Sequence, residues 1–176
     1  EDGEQWGSFD YASQEPRWLA HYCATLTGAR RDPQIDDVVR MYHEGNADFH
    51  QMVADMAGVS RKEAKTVNLG IMYGMGRKKL AGTLDITEED AKGLLNKYHD
   101  RVPFVKGMAD LAMSQAMDKG VIRTWLGRKC RFDTWEPRSY GYHRALPLEE
   151  AVKEYGGRGM IRRAFTYKAL NRLIQG

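Results

Sequence analysis

The sequence predicts an α+β chain that is predominantly helical, with one short strand near its start and one β-hairpin in its second half. Three observations carry this expectation. Helix-start signals recur: Ser60 is followed by Glu63 three residues on, and Thr87 by Asp90, each ahead of a stretch suited to a helix. The run "WGSFDY" at 6–11 alternates aromatic with small or polar residues, the period of a strand. In "GVIRTWLGRKCRF" at 120–132, two β-rich runs flank Leu126-Gly127 as in a hairpin.

In chain order, the strand at 6–11 breaks into a polar turn, and a helix follows through "PRWLAHYCATL", with Pro16 tolerable only in its first turn. Two short helices are expected at 36–44 and 48–56, separated by Gly45-Asn46. The Ser60 capping box opens a helix over 60–74, and Thr87 opens one that runs through Tyr98. Residues 102–119 form a further helix and 120–132 the hairpin. The segment 133–157, with Pro, Gly and Tyr, reads as an irregular surface insertion, and 158–174 as a basic helix. No repeats or linkers interrupt this order.

Composition limits the possibilities. A chain of 176 residues that is 42% hydrophobic can bury a real core, as one domain or part of a larger one. Lys and Arg number 27 against 24 for Asp and Glu, giving a formal charge of +3, so bulk charge neither demands nor excludes a polyanionic partner. The two cysteines, Cys23 and Cys130, lie too far apart to suggest a disulfide framework or a zinc site. No apolar run reaches membrane-spanning length, and "EDGEQWG" is unlike a signal peptide; both suit a soluble, intracellular protein.

Within "RKEAKTVNLGIMYG", Arg61, Lys65, Leu69 and Tyr73 recur every four residues and would form one stripe on a helix, before Gly74 ends it. Its cationic end coincides with the helix N-terminus, whose free N–H groups already favour anions. Phosphates would fit there, and a flat base could stack on the apolar and aromatic end. Spacing alone fits better an ordinary amphipathic helix with solvated cations and Leu69 and Tyr73 in the core. In "DYASQEPR", Asp10 ends the expected strand, while Glu15 and Arg17 begin a helix. A strand-end carboxylate suits a hard metal ion such as Mg²⁺, although an Asp before a turn is commonly a cap.

Together these stretches resemble motif A and the motif B "O helix" of family A DNA polymerases, the DNA polymerase I class, and especially their phage members. Motif A of that family has Asp, Glu five residues later and Arg seven later, matched by Asp10, Glu15 and Arg17. Its O helix has Arg, Lys four later, an aromatic eight later and Tyr-Gly from twelve later; Arg61, Lys65, Tyr73 and Gly74 match. "DFH" at 48–50 lies between the two motifs, and "RVPFVK" and "GVIRTWLGRKCRF" resemble the segment that follows the fingers.

The resemblance implies the palm-fingers portion of a right-hand polymerase. Residues 1–30 would be palm with motif A, 31–119 fingers with the O helix at 60–74, 120–157 a hairpin and insertion, and 158–176 a basic helix returning to the palm. It implies template-directed transfer of dNTPs to a primer 3′-hydroxyl with two Mg²⁺ ions, and primer-template DNA as partner. Asp10 would hold metal, and Glu15 would act as a steric gate against a ribose 2′-hydroxyl. Arg61, Lys65 and His50 would bind the β- and γ-phosphates, with Lys65 also a proton donor to the leaving pyrophosphate. Tyr73 would stack near the templating base, and Gly74 would let the template pass. Arg17 would brace motif A, and Asn171 and Gln175 would face the primer-template minor groove.

Departures from the family pattern are also expected to matter. Leu69 stands where many members carry Phe or Tyr, a position that senses the sugar's 3′ side. No His-Asp pair followed by an acid, the family's motif C, occurs in the sequence. The second metal carboxylate would therefore come from outside this chain, and synthesis would require a complementary fragment carrying thumb and motif C. If phage-encoded, the protein would work in the host cytoplasm, with no membrane partner. A non-catalytic nucleic-acid-binding module, using Arg158, Arg162, Arg163, Lys168 and Arg172, is the alternative.

Overall fold

The computed structural model describes residues 3–4, 6–8, 11, 13–45, 48–139 and 141–176. The first helix, α1 (Gln14–Ala24), starts with Pro16 in its opening turn, where a missing N–H costs nothing. Next come α2 (Gln34–His43) and α3 (Phe49–Ala57). Asp48 caps α3, accepting from the backbone N–H groups of His50 and Gln51. The helix α4 (Arg61–Met72) is opened by a complete capping box: Glu63 N donates to Ser60 Oγ at 3.2 Å, and Ser60 N donates to Glu63 Oε2 at 2.8 Å.

Beyond it lie α5 (Arg77–Leu84), α6 (Glu88–Arg101) capped by Thr87, and α7 (Pro103–Lys119). Strands β1 (Val121–Arg123) and β2 (Lys129–Arg131) pair antiparallel with Ile122 opposite Cys130. The chain continues through β3 (Trp135–Pro137), α8 (Leu148–Glu154), β4 (Ile161–Arg163) and α9 (Ala169–Gln175). β3 and β4 form a second antiparallel pair, with Glu136 opposite Arg162.

The main core gathers Leu19, Phe49, Val53, Val67, Tyr98, Val105, Ile122 and Leu173, so that α7 packs against α1, α4, α6, α9 and β1. A smaller cluster of Leu146, Ala151 and Ile161 packs against Trp135 and joins α8 to the second strand pair. This arrangement brings the N-termini of α3 and α4 side by side and sets the end of α9 near the end of α4.

Several expectations are corrected. Trp6, Gly7, Ser8 and Tyr11 lie outside any strand, while Phe9 and Asp10 fall outside the described residues. The helix α5 has no signal in the sequence, because "RKKLAGTL" has neither a side-chain N-cap nor a clear apolar period. Residues 133–157 are not simply irregular: they contain β3 and α8. The expected basic helix at 158–174 is instead a 3₁₀ turn, β4, a second 3₁₀ turn and α9.

Tertiary pairing explains that last difference. Arg163 donates to the carbonyls of Phe132 at 2.8 Å and Met117 at 3.2 Å, and its guanidinium lies 4.6 Å over the Trp135 ring. Those partners are available only to an extended 161–163 beside β3. Phe165 then sits in the left-handed region with φ 59°, which breaks any helix before α9.

Candidate functional site

Two clusters lie at opposite ends of α4. At its N-terminal end, Asp48 Oδ1 accepts from His50 N at 3.1 Å and Gln51 N at 3.0 Å, while Oδ2 accepts from Arg61 Nε at 2.8 Å. These bonds hold the Asp48 carboxyl below the usual carboxylate range, the Arg61 hydrogen bond most of all. Arg61 is thus tethered to the start of α3.

His50, in the first turn of α3, is half-buried with Nδ1 3.0 Å from the Asn68 side-chain amide. Burial pushes its imidazole pKa below the ordinary value, opposed by the Asp48 charge and reinforced by Arg61 and Lys65, with Glu15 a further raising influence. Side chains from α1, α3 and α4 therefore act on one ring.

At the other end of α4, Tyr73 is 44% exposed and its hydroxyl donates to Glu15 Oε1 at 3.4 Å. Gln175 of α9 donates from Nε2 to Tyr73 Oη and lies 3.4 Å from Glu15 Oε1. Three residues far apart in sequence thus meet where α4 stops. Gly74 has φ +70°, and a Cβ there would stand 2.8 Å from the Tyr167 carbonyl oxygen, so both backbone shape and space require glycine.

Between the clusters, Lys65 is exposed and Leu69 half-buried against the core edge. The stripe from Arg61 to Tyr73 spans about 18 Å at the helical rise. It is one outward face, while Ala64, Val67, Asn68 and Met72 turn inward.

Other expected site residues stand apart from these clusters. The Arg17 guanidinium lies 4.8 Å over the Tyr42 ring and ties α1 to α2. Asn171 is half-buried on α9, one turn before Gln175. Asp10 lies outside the described residues. Among the described residues no group of three or more His, Cys, Asp or Glu is placed to hold a metal ion, so the metal expectation rests on Asp10.

Sequence reasoning missed Asp48, Asn68 and Tyr98. Asp48 carried a usable signal, an Asp directly before a helix. Asn68 carried a subtler one, since a polar residue on the apolar face of a helix needs a buried partner.

The two histidines held low by burial, His50 and His99, set a pH dependence. Folding favours their neutral forms, so stability is intact above the ordinary histidine pKa of about 6.5 and declines as pH falls below it, when the unfolded chain takes up protons first. The urea midpoint should be lower at pH 5.5 than at pH 7.5, and the double substitution His50→Gln/His99→Gln should flatten that difference. An unchanged slope in the double variant would contradict this origin.

Comparison with known proteins adds to this geometry. Residues 1–176 match the family described as DNA polymerase family A. The chain is similar to the DNA-directed DNA polymerase of Pseudomonas phage M6, 29% identical over 214 aligned positions covering 100% of this chain and 29% of that protein. It is 32% identical over 129 positions to the thermostable DNA polymerase I of Thermus thermophilus, covering 68% of this chain and 14% of that one. A solved structure, the POL domain of Pol1 from M. smegmatis in complex with DNA primer-template and dNTP, superposes with a TM-score of 0.65 at 27% identity, over 95% of this chain and 26% of that one. The chain thus spans less than a third of each of these relatives. Among the described residues, no helix is long and apolar enough to cross a membrane.

Proposed function

Because the chain belongs to DNA polymerase family A, we propose that the outward face of α4 binds the incoming dNTP for template-directed DNA synthesis. One observation carries the reading: Arg61, Lys65 and His50 gather at one end of that face, and Glu15, Tyr73 and Gln175 at the other. The first group takes the β- and γ-phosphates. Arg61 must then share its guanidinium between Asp48 and phosphate, which keeps its side chain extended along the site before the nucleotide arrives.

Lys65 carries its charge on the same helix face, one turn further on, and donates a proton toward the leaving pyrophosphate. Leu69 supplies apolar contact to the sugar. Glu15, held by Tyr73 and Gln175, occupies the space a ribose 2′-hydroxyl would need. Asn171 and Gln175 face the minor groove of the primer-template, where acceptors common to all base pairs permit a sequence-independent check. Gly74 gives the template room to pass, and Arg17 braces α1. When bound, two Mg²⁺ ions would activate the primer 3′-hydroxyl and offset triphosphate charge, with Asp10 as one ligand. These 176 residues hold no His-Asp-acid turn, so primer extension is assigned to them acting together with a segment that carries the second carboxylate.

The alternative, a non-catalytic nucleic-acid-binding module, is less well supported. Arg162 pairs with Glu136 at 2.9 Å, while Arg163 and Arg172 donate to backbone carbonyls of their own chain, which leaves fewer cations of that segment for phosphates.

Titration of the chain with Mg²⁺ and dATP tests the reading. Binding should depend on Mg²⁺, weaken about tenfold in Lys65→Ala, the loss of one charge-assisted contact, and lose its preference over ATP in Glu15→Ala. Metal-independent binding that Lys65→Ala leaves untouched would refute it. Mixed with the complementary fragment, the chain should extend a primer, and Asp10→Ala should abolish that extension.

A further inference from the structure

We propose that Asn68 and Tyr98 are positioning residues that hold His50 in the tautomer protonated at Nε2, so that a neutral N–H is presented to a phosphate of the bound nucleotide. The nucleotide part of this proposal rests on the dNTP-binding reading above. Neither Asn68 nor Tyr98 has another assigned role.

Asn68 is 0% and Tyr98 1% exposed, so water cannot satisfy their polar atoms and each must find its partner within the protein. The Tyr98 hydroxyl donates to Asn68 Oδ1, and Asn68 Nδ2 lies 3.0 Å from His50 Nδ1. A chain of two hydrogen bonds thus runs from α6 through α4 to α3.

Its direction is set by chemistry. A phenol is a better donor than acceptor, and the oxygen is the acceptor end of an amide, so both are used to advantage when Tyr98 donates to Oδ1. The amide nitrogen then faces His50 and can only donate. His50 Nδ1 must accept, and its single proton sits on Nε2, the nitrogen on the far side of the ring.

The surroundings agree with a neutral ring. Of the groups that act on it, Arg61 and Lys65 oppose protonation while Asp48 and Glu15 favour it, and Asp48 is already engaged by Arg61 and two backbone N–H groups. Burial also pushes the Tyr98 phenol upward, which keeps it a proton donor at any ordinary pH. The backbone geometry supports the same arrangement. Phe49, next to His50, is anchored in the core and the Asp48 cap fixes the first turn of α3, so the ring meets Asn68 without searching.

Long-range ¹H–¹⁵N correlation spectra of the histidine-labelled chain at pH 7.5, assigned with His50→Gln, test the proposal directly. The wild-type protein should show the His50 proton on Nε2. Asn68→Asp keeps the side-chain shape but replaces the donor with an acceptor, so the proton should move to Nδ1. Titration with Mg²⁺ and dATP should show about tenfold weaker binding in that variant, the size of one hydrogen bond to a charged group.

A wild-type proton on Nδ1, or a tautomer unchanged in Asn68→Asp, would overturn the proposal even if dATP binds normally. The wild-type spectrum alone suffices if the variant fails to fold. A correct tautomer switch with no dATP binding by the wild-type chain would instead overturn the nucleotide-binding reading and the phosphate role with it.

Discussion

Phe49→Ala is expected to lower the unfolding free energy by about 3–5 kcal/mol, the usual cost of removing a buried phenyl ring together with the cavity it leaves. Phe49 is only 2% exposed, with its ring 6.5 Å from Phe104 and 6.3 Å from His50, both edge-on. It lies in the main core cluster with Val53 and Val67, where the α3 and α4 side chains meet. These helices have little freedom to close the gap, because Val53, Ala54, Ala64 and Val67 are buried in the same packed cluster. Since a domain's whole stability is about 5–15 kcal/mol, much of the margin would go. Urea unfolding followed by circular dichroism should show a lower midpoint with an unchanged slope. Phe49→Leu should lose much less, as a volume closer to the original is kept. A loss below about 1 kcal/mol in Phe49→Ala would show that the core relaxes around the cavity. The same variant should weaken dATP binding, since the His50 ring lies edge-on to this one.

Gly74→Ala is the second. At φ +70° a Cβ carries a cost of about 1–2 kcal/mol on backbone conformation alone. The new methyl would also stand 2.6 Å from Tyr167 Cδ2 and 2.8 Å from the Tyr167 carbonyl oxygen, so the Tyr167 backbone must move as well as its ring. Together these should destabilise the chain by about 2–3 kcal/mol, near the upper range of single substitutions that create strain. The displacement should also pull Tyr73 from Glu15 and Gln175, and with it the preference for dATP over ATP. Adding Tyr167→Ala removes the ring contact but neither the backbone contact nor the positive φ, so rescue should be partial. Full recovery in the double variant would assign the whole effect to the ring.

Much of this molecule was legible because the signals are local. Ser60 and Glu63 close a reciprocal pair of hydrogen bonds within one turn, so the start of α4 can be read from four letters. The strand pair around Leu126-Gly127 is equally local: its register follows from two short β-rich runs and the turn between them. Helical periodicity groups Arg61, Lys65, Leu69 and Tyr73 into one stripe, and the packing of Ala64, Val67 and Met72 into the core is what turns that stripe outward.

What could not be read depends on partners distant in sequence. Arg162 and Arg163 look like part of a basic helix until β3 offers Glu136, Trp135 and the Phe132 carbonyl to an extended backbone. Asn68 looks like an indifferent polar residue until His50 and Tyr98 arrive from α3 and α6. The sequence by itself determined the starts of α4 and α6, the first hairpin, the stripe along α4 and the family to which the chain belongs, since each rests on residues within a few turns of one another or on motif spacing. Only the tertiary structure decided that Glu15, Tyr73 and Gln175 share hydrogen bonds, that Arg61 is tethered to Asp48, and which way the His50 ring is held. Those contacts form only once core packing has brought separate helices within hydrogen-bonding distance.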